Sequence, residues 1–149
     1  MGGDSKSNNH HKPVLFHDID GVLFGEYGGE FQLRPGVKTW LKWAHDNFRV
    51  IWLTSWEKEN VEQLLGLLYL RDFLPIHHAN WMNYASKAIW LKEARAKITE
   101  DRAVFWIDDE AEPVDRVIEL KVDRVGEREL ESLRQRLSAL LANKKRLVA

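Results

Sequence analysis

Short apolar runs that stop abruptly at polar residues recur along the chain, and between them apolar positions return every three to four residues. Val14-Leu15-Phe16, Arg49 to Leu53 (RVIWL) and Ala103 to Ile107 (AVFWI) are the strongest runs. Continuous apolar stretches of this length suit strands buried on both faces, as in a parallel sheet. Pro75 to Ala79 and Val117 to Val122 predict two shorter strands. Helical spacing is carried by Val37, Trp40, Leu41 and Ala44, up to about Asn47, and by Val61, Leu64, Leu65 and Leu68, between Lys58 and Leu70. It returns in Ala88, Leu91 and Arg95, between Tyr84 and Ala96, and in Leu130, Leu133, Leu137, Leu140 and Leu141, between Glu127 and Lys145. Residues 22–33 hold Gly25, Gly28 and Gly29 and predict a small hairpin or flap; Arg34-Pro35-Gly36 is a turn into the next helix. This alternation predicts an α/β fold, a three-layer α/β/α sandwich around a central parallel sheet.

Composition narrows the picture. The 149 residues suit one domain, expected over 13–149, with 44% hydrophobic and 30% charged residues. Residues 1–12 are polar and rich in Gly, Ser and Asn, which predicts a disordered tail with His10 and His11 as a solvated pair. With no cysteine, disulfides, thiolate metal sites and cysteine nucleophiles are excluded. That absence and the lack of an apolar leader predict a cytoplasmic location, and no apolar run reaches the roughly 18–20 residues of a membrane span. The formal net charge of -1 gives nucleic acid no support as a partner. Oligomeric state is not legible.

The three strong strands end in residues that do not suit a core: Asp18 and Asp20, Thr54 and Ser55, Asp108 and Asp109. In an open parallel sheet ligands bind at the carboxyl ends of the strands, so these groups should converge. Four carboxylates in one crevice raise each other's pKa unless a cation cancels them, and oxygen ligands select magnesium over softer metals. Asp18 and Asp20, two apart, would share a face in extended chain, one free to attack and the other to handle a proton.

The segment VLFHDIDGVLF, with Asp18-Ile19-Asp20-Gly21-Val22, resembles the first motif of the haloacid dehalogenase superfamily. Leu53-Thr54-Ser55 resembles its second motif, Lys87 its third and Phe105-Trp106-Ile107-Asp108-Asp109 its fourth, in the family's order from about Pro13 to Asp109. LTSWEKEN, LGLLYL and WIDDE are similar to small members without a cap domain, some of which are attached to RNA-repair proteins. The resemblance implies a magnesium-dependent phosphatase in which Asp18 attacks phosphorus and Asp20 protonates the leaving oxygen. Thr54, with Ser55 second to it, would hold the phosphoryl group, and Lys87, with Lys92 as a weaker substitute, would neutralise charge. Asp18, the Asp20 carbonyl, and Asp108 or Asp109 would bind magnesium. An open site implies a large phosphorylated substrate or a partner that caps it.

Alternatives remain open from the residues alone: a binding module that keeps the fold and pocket, a receiver domain (disfavoured by Thr54 at the second strand end), or a nucleic-acid 3′-phosphatase. Trp56 and Trp81 follow strand ends and could line the site mouth, whereas Trp40, Trp43, Trp52, Trp90 and Trp106 read as core. His17 reads as structural, His77 and His78 as near the site without a metal role, Arg34 as a surface ion pair rather than a reach to substrate phosphate, and Lys144-Lys145-Arg146 as complementing a helix C-terminus.

Overall fold

In the structure, a computed structural model, residues 12–148 are described, with side chains as far as residue 143. The expected tail with His10 and His11, and the side chains of Lys144, Lys145 and Arg146, lie outside the described residues. The apolar runs form five parallel strands: β1 (Val14–His17), β4 (Arg49–Trp52), β5 (His77–His78), β6 (Val104–Asp108) and β7 (Ile118–Lys121), in the order β5-β4-β1-β6-β7. The glycine-rich stretch makes the expected hairpin, β2 (Phe24–Tyr27) with β3 (Glu30–Leu33), turning on Gly28 and Gly29 at positive φ.

Among the described residues four α-helices flank the sheet: α1 (Val37–Asn47), α2 (Lys58–Leu67), α3 (Lys87–Ala96) and α4 (Glu129–Val148). Leu15, Val50, Trp52, Phe105 and Ile107 pack on one side with Trp40 and Leu41 of α1, Val61 and Leu65 of α2, and Leu133 and Leu137 of α4. Val14, Phe16, Val104 and Trp106 pack on the other with Leu91 of α3. Side chains alternate in direction along a strand, so each buried strand feeds both layers, which is why the runs are apolar without a period.

Register sets the site. His17 pairs with Trp52 on one side and Ile107 on the other, so the three central strands end level. From β1 the chain leaves toward β4, and from β6 toward β7. The crevice therefore lies between the carboxyl ends of β1 and β6, where the connections diverge.

Several boundaries differ from expectation for local reasons. Helix α2 stops at Leu67, not Leu70. Tyr69 takes φ 60°, and the amides of Leu70 and Tyr69 return to the carbonyls of Leu65 and Gly66, a Schellman ending with tyrosine where glycine is usual. Helix α3 begins at Lys87, not Tyr84, because the Ser86 hydroxyl accepts from the Ile89 amide and caps it there. Helix α4 starts at Glu129, two residues past expectation, and Leu140 is left partly exposed rather than in the apolar seam. No helix among the described residues is long and apolar enough to cross a membrane.

Candidate active site

Asp18 leaves β1 fully flanked: its amide donates to the Ile107 carbonyl, and its side chain is buried. His17, one residue earlier, points to the opposite face against Trp40 and Trp52. Its Nδ1 donates to the Asp18 carbonyl (2.6 Å) and its Nε2 accepts from the Trp40 indole (2.8 Å). Those two bonds require the neutral ring, and burial accordingly lowers its pKa to about 4. The structural reading of His17 holds, with the added duty of pinning the Asp18 backbone.

Lys87 occupies the first position of α3 and reaches into the crevice. Its Nζ lies 3.0 Å from Asp18 Oδ2 and 2.8 Å from Asp108 Oδ2. Asp108 is buried, and its other oxygen accepts from the Glu110 amide (2.9 Å). Oxygens of Asp18, Asp108 and Asp109 lie within 4.8 Å of one another, a group able to hold a hard cation. Gly21, at φ 76°, passes so close that a Cβ there would overlap the Asp109 carboxylate. The Asp20-Gly21 pair thus needs glycine to admit the third acid.

Electrostatics follow from this crowding. Burial and then the Asp108 charge push Asp18 up to about 7, against the pull of Lys87. Burial and then Asp108 push Asp109 up to about 6, against Arg124, whose Nε is 3.1 Å away. Burial works to lower the Lys87 pKa, but Asp18 and Asp108 outweigh it and the net direction is upward.

Asp20 stands apart from the triad. It is exposed, and its Oδ1 accepts from the Trp56 indole (3.1 Å). Its carboxylate is therefore not among the clustered oxygens, and only its backbone carbonyl remains from the expected ligand set. Thr54 is buried past the end of β4, with Oγ1 accepting from the Trp56 amide (3.2 Å), which leaves its hydroxyl proton free to donate. The Thr54 carbonyl takes the Trp81 indole (2.8 Å), and the Trp56 carbonyl takes His78 Nε2 (2.8 Å). Trp56 and Trp81 do border the site, and Lys87 lies 5.6 Å from the Trp81 ring centre. Ser55 and Lys92 are exposed.

Arg34 overturns the surface reading. It is 1% exposed and donates to the carbonyls of Gly21 (3.0 Å), Asp123 (2.7 Å) and Gly126, with the Tyr27 ring beneath it. It ties the loop after β1 to the loop after β7. Arginine in a turn reads as exposed; the neighbouring Pro35-Gly36 hides that the chain folds back over it. Arg124, which meets Asp109, lies beyond the motifs and had no local signal.

No family model matches the chain, and no solved structure matches it. Over 95 residues, 62% of its length, it is 33% identical to the methane monooxygenase component A alpha chain of Methylosinus trichosporium, covering 18% of that protein. Over 47 residues, 32% of its length, it is 40% identical to the same component of Methylococcus capsulatus, covering 9%. The chain thus spans less than a fifth of the curated relatives it matches.

Proposed function

We propose that the protein is a magnesium-dependent phosphomonoester hydrolase of the haloacid dehalogenase type, without a cap domain. The observation that carries this reading is Lys87 bridging Asp18 and Asp108 at the carboxyl ends of β1 and β6, with Asp109 beside them. The all-oxygen donors and the upward push on two of them fit a hard divalent cation, which Asp18, Asp108, Asp109 and the Asp20 carbonyl would hold. When bound, that ion offsets negative charge on the phosphate and the carboxylates.

An Asp18 oxygen attacks phosphorus and the ester P–O bond breaks, leaving an acyl phosphate on Asp18. Asp20 gives its proton to the departing oxygen, then takes one from the water that attacks phosphorus and frees Asp18. Lys87 and the Thr54 hydroxyl bind phosphoryl oxygens as charge shifts. The inserts between core strands are a hairpin with one helix and a helix with short loops, which leaves the crevice open to a large substrate. The likeness to the methane monooxygenase alpha chain covers too little of that protein to bring oxygenase activity here.

Hydrolysis of an aryl phosphate, with and without magnesium, tests the reading in the wild type and Asp18→Asn. Magnesium-dependent turnover that disappears in the variant supports it. Absence of turnover on aryl phosphates, phosphopeptides and 3′-phosphorylated oligonucleotides alike would favour a binding module with the same pocket.

A further inference from the structure

The hairpin has a consequence for what leaves the phosphate. Phe24 and Phe31, across the β2–β3 pair, stack at 5.6 Å and 18°, and Phe24 meets Trp56 at 5.5 Å. Trp56 is the residue whose indole holds Asp20. The three rings form a ridge running outward from Asp20. Phe31, at its far end, is 71% exposed, an unusual position for a phenylalanine that packs only along one face. Phe24 and Phe31 of this ridge, together with Asp20, Gly21, Glu26, Arg124 and Val125, line a cleft of about 640 Å³.

The inner end and the loop that carries Arg124 are held. Arg34 follows the hairpin directly and is buried. It donates to the carbonyls of Gly21, Asp123 and Gly126, so one side chain fixes the inner end and the ends of the 123–126 loop. A cleft lined by aromatic rings and by Arg124, whose Nε pairs with Asp109, suits a flat π-system, which can stack on the rings and meet the exposed part of the guanidinium.

Resting on the phosphomonoesterase reading, we propose that this cleft receives a flat aromatic leaving group, an arene or a nucleobase, and that Phe31 and Phe24 set the preference for it. Asp20 must touch the leaving oxygen, so the leaving group extends from Asp20, and the aromatic ridge and cleft begin there.

The test is the ratio of kcat/KM for a flat ester over a flexible one, in wild type, Phe31→Ala and Phe31→Trp with magnesium. p-Nitrophenyl phosphate and adenosine 5′-monophosphate are compared with glycerol 3-phosphate. Stacking on an aromatic side chain corresponds to about tenfold in such a ratio. A preference that collapses about tenfold in Phe31→Ala and returns in Phe31→Trp is expected, and loss for the nucleotide alone identifies the base as occupant. A ratio unchanged by Phe31→Ala, or parallel loss on all three esters, overturns the proposal. Should no ester be turned over, the same compounds are titrated by calorimetry into the wild type with magnesium. Tighter binding of the flat ones that depends on Phe31 then keeps the cleft while the hydrolytic reading falls; equal or absent binding rejects the cleft.

Discussion

The two ends of helix α3 each draw a cation in against the protein, Lys87 half-buried and Arg95 buried, and they treat it in opposite ways. At the amino end Lys87 faces the carboxylates of Asp18 and Asp108. At the carboxyl end Arg95, 3% exposed, donates to the carbonyls of Ile98, Thr99, Glu100, Arg102 and Arg116. The arginine is wrapped in neutral acceptors that match its five N–H groups, and its charge assists bonds that close the end of the helix. The lysine sits among more negative charge than it can cancel, and two of the acids in that cluster are pushed up in pKa, first by burial and then by the Asp108 charge. A buried charge whose partners are satisfied holds a fold together. A half-buried charge among uncompensated partners is poised to accept something else.

The largest effect expected from this contrast is at Asp18. Asp18→Asn should lower phosphatase turnover by about 10⁴-fold or more, as loss of a nucleophile does. The same change should raise the stability of the metal-free protein at pH 8. The folded-state pKa of Asp18, about 7, lies above the usual 3.8. Stability from its protonated form is complete below pH 3.8 and lost as pH rises through 7, so the ionised group costs the fold at pH 8. Removing it should gain about 2 to 4 kcal/mol, read by urea denaturation. Unchanged or lower stability would mean that the pocket is satisfied without a ligand.

Lys87→Met should lower turnover by about 10²- to 10³-fold, in the range of losing one charge that stabilises a transition state. It should also destabilise the metal-free protein at pH 8, and magnesium should restore much of that loss. Arg95→Met should do the reverse. It should cost about 3 kcal/mol in chemical denaturation through orphaned carbonyls, with kcat per folded molecule unchanged. An Arg95 variant with a stable fold and impaired kcat would break the distinction between the two ends.

The smallest effect concerns the metal. Under the proposed reading Asp18 and Asp109 would have to be ionised to bind magnesium, and their raised pKa values place that change near pH 6 to 7. Added magnesium should therefore raise Tm at pH 8, by a few degrees at about tenfold above its Kd, and do little at pH 5. An equal shift at both pH values would point to binding elsewhere.

Much of this was legible in the sequence because buried strands and their polar ends are local signals. The runs at Val14, Arg49 and Ala103, followed by Asp18, Thr54 and Asp108, sufficed to predict that their ends meet. Lys87 was assigned to the pocket by its resemblance to a motif, and Ser86, one residue before it, carried the capping signal that would have placed the helix start. The buried arginines were not legible. Arg95 shares a helical face with Leu91, but nothing nearby in sequence announces that residues 98–102 and 116 bring it carbonyls. Arg34 acts across about 90 residues of chain, the exposed Arg124 meets Asp109 from the loop after β7, and the split of Asp20 from the acid cluster depends on Trp56, 36 residues away. Such pairings appear only once the loops are closed.

The most direct test of the central claim is to trap the covalent intermediate. Wild-type protein mixed with an aryl phosphate and magnesium is quenched in acid within milliseconds, and its peptides are weighed by mass spectrometry. The account predicts one phosphoryl group on Asp18, absent without magnesium and absent in Asp18→Asn. Turnover that proceeds with no phosphoryl group on Asp18, or with the label on another residue, would contradict it.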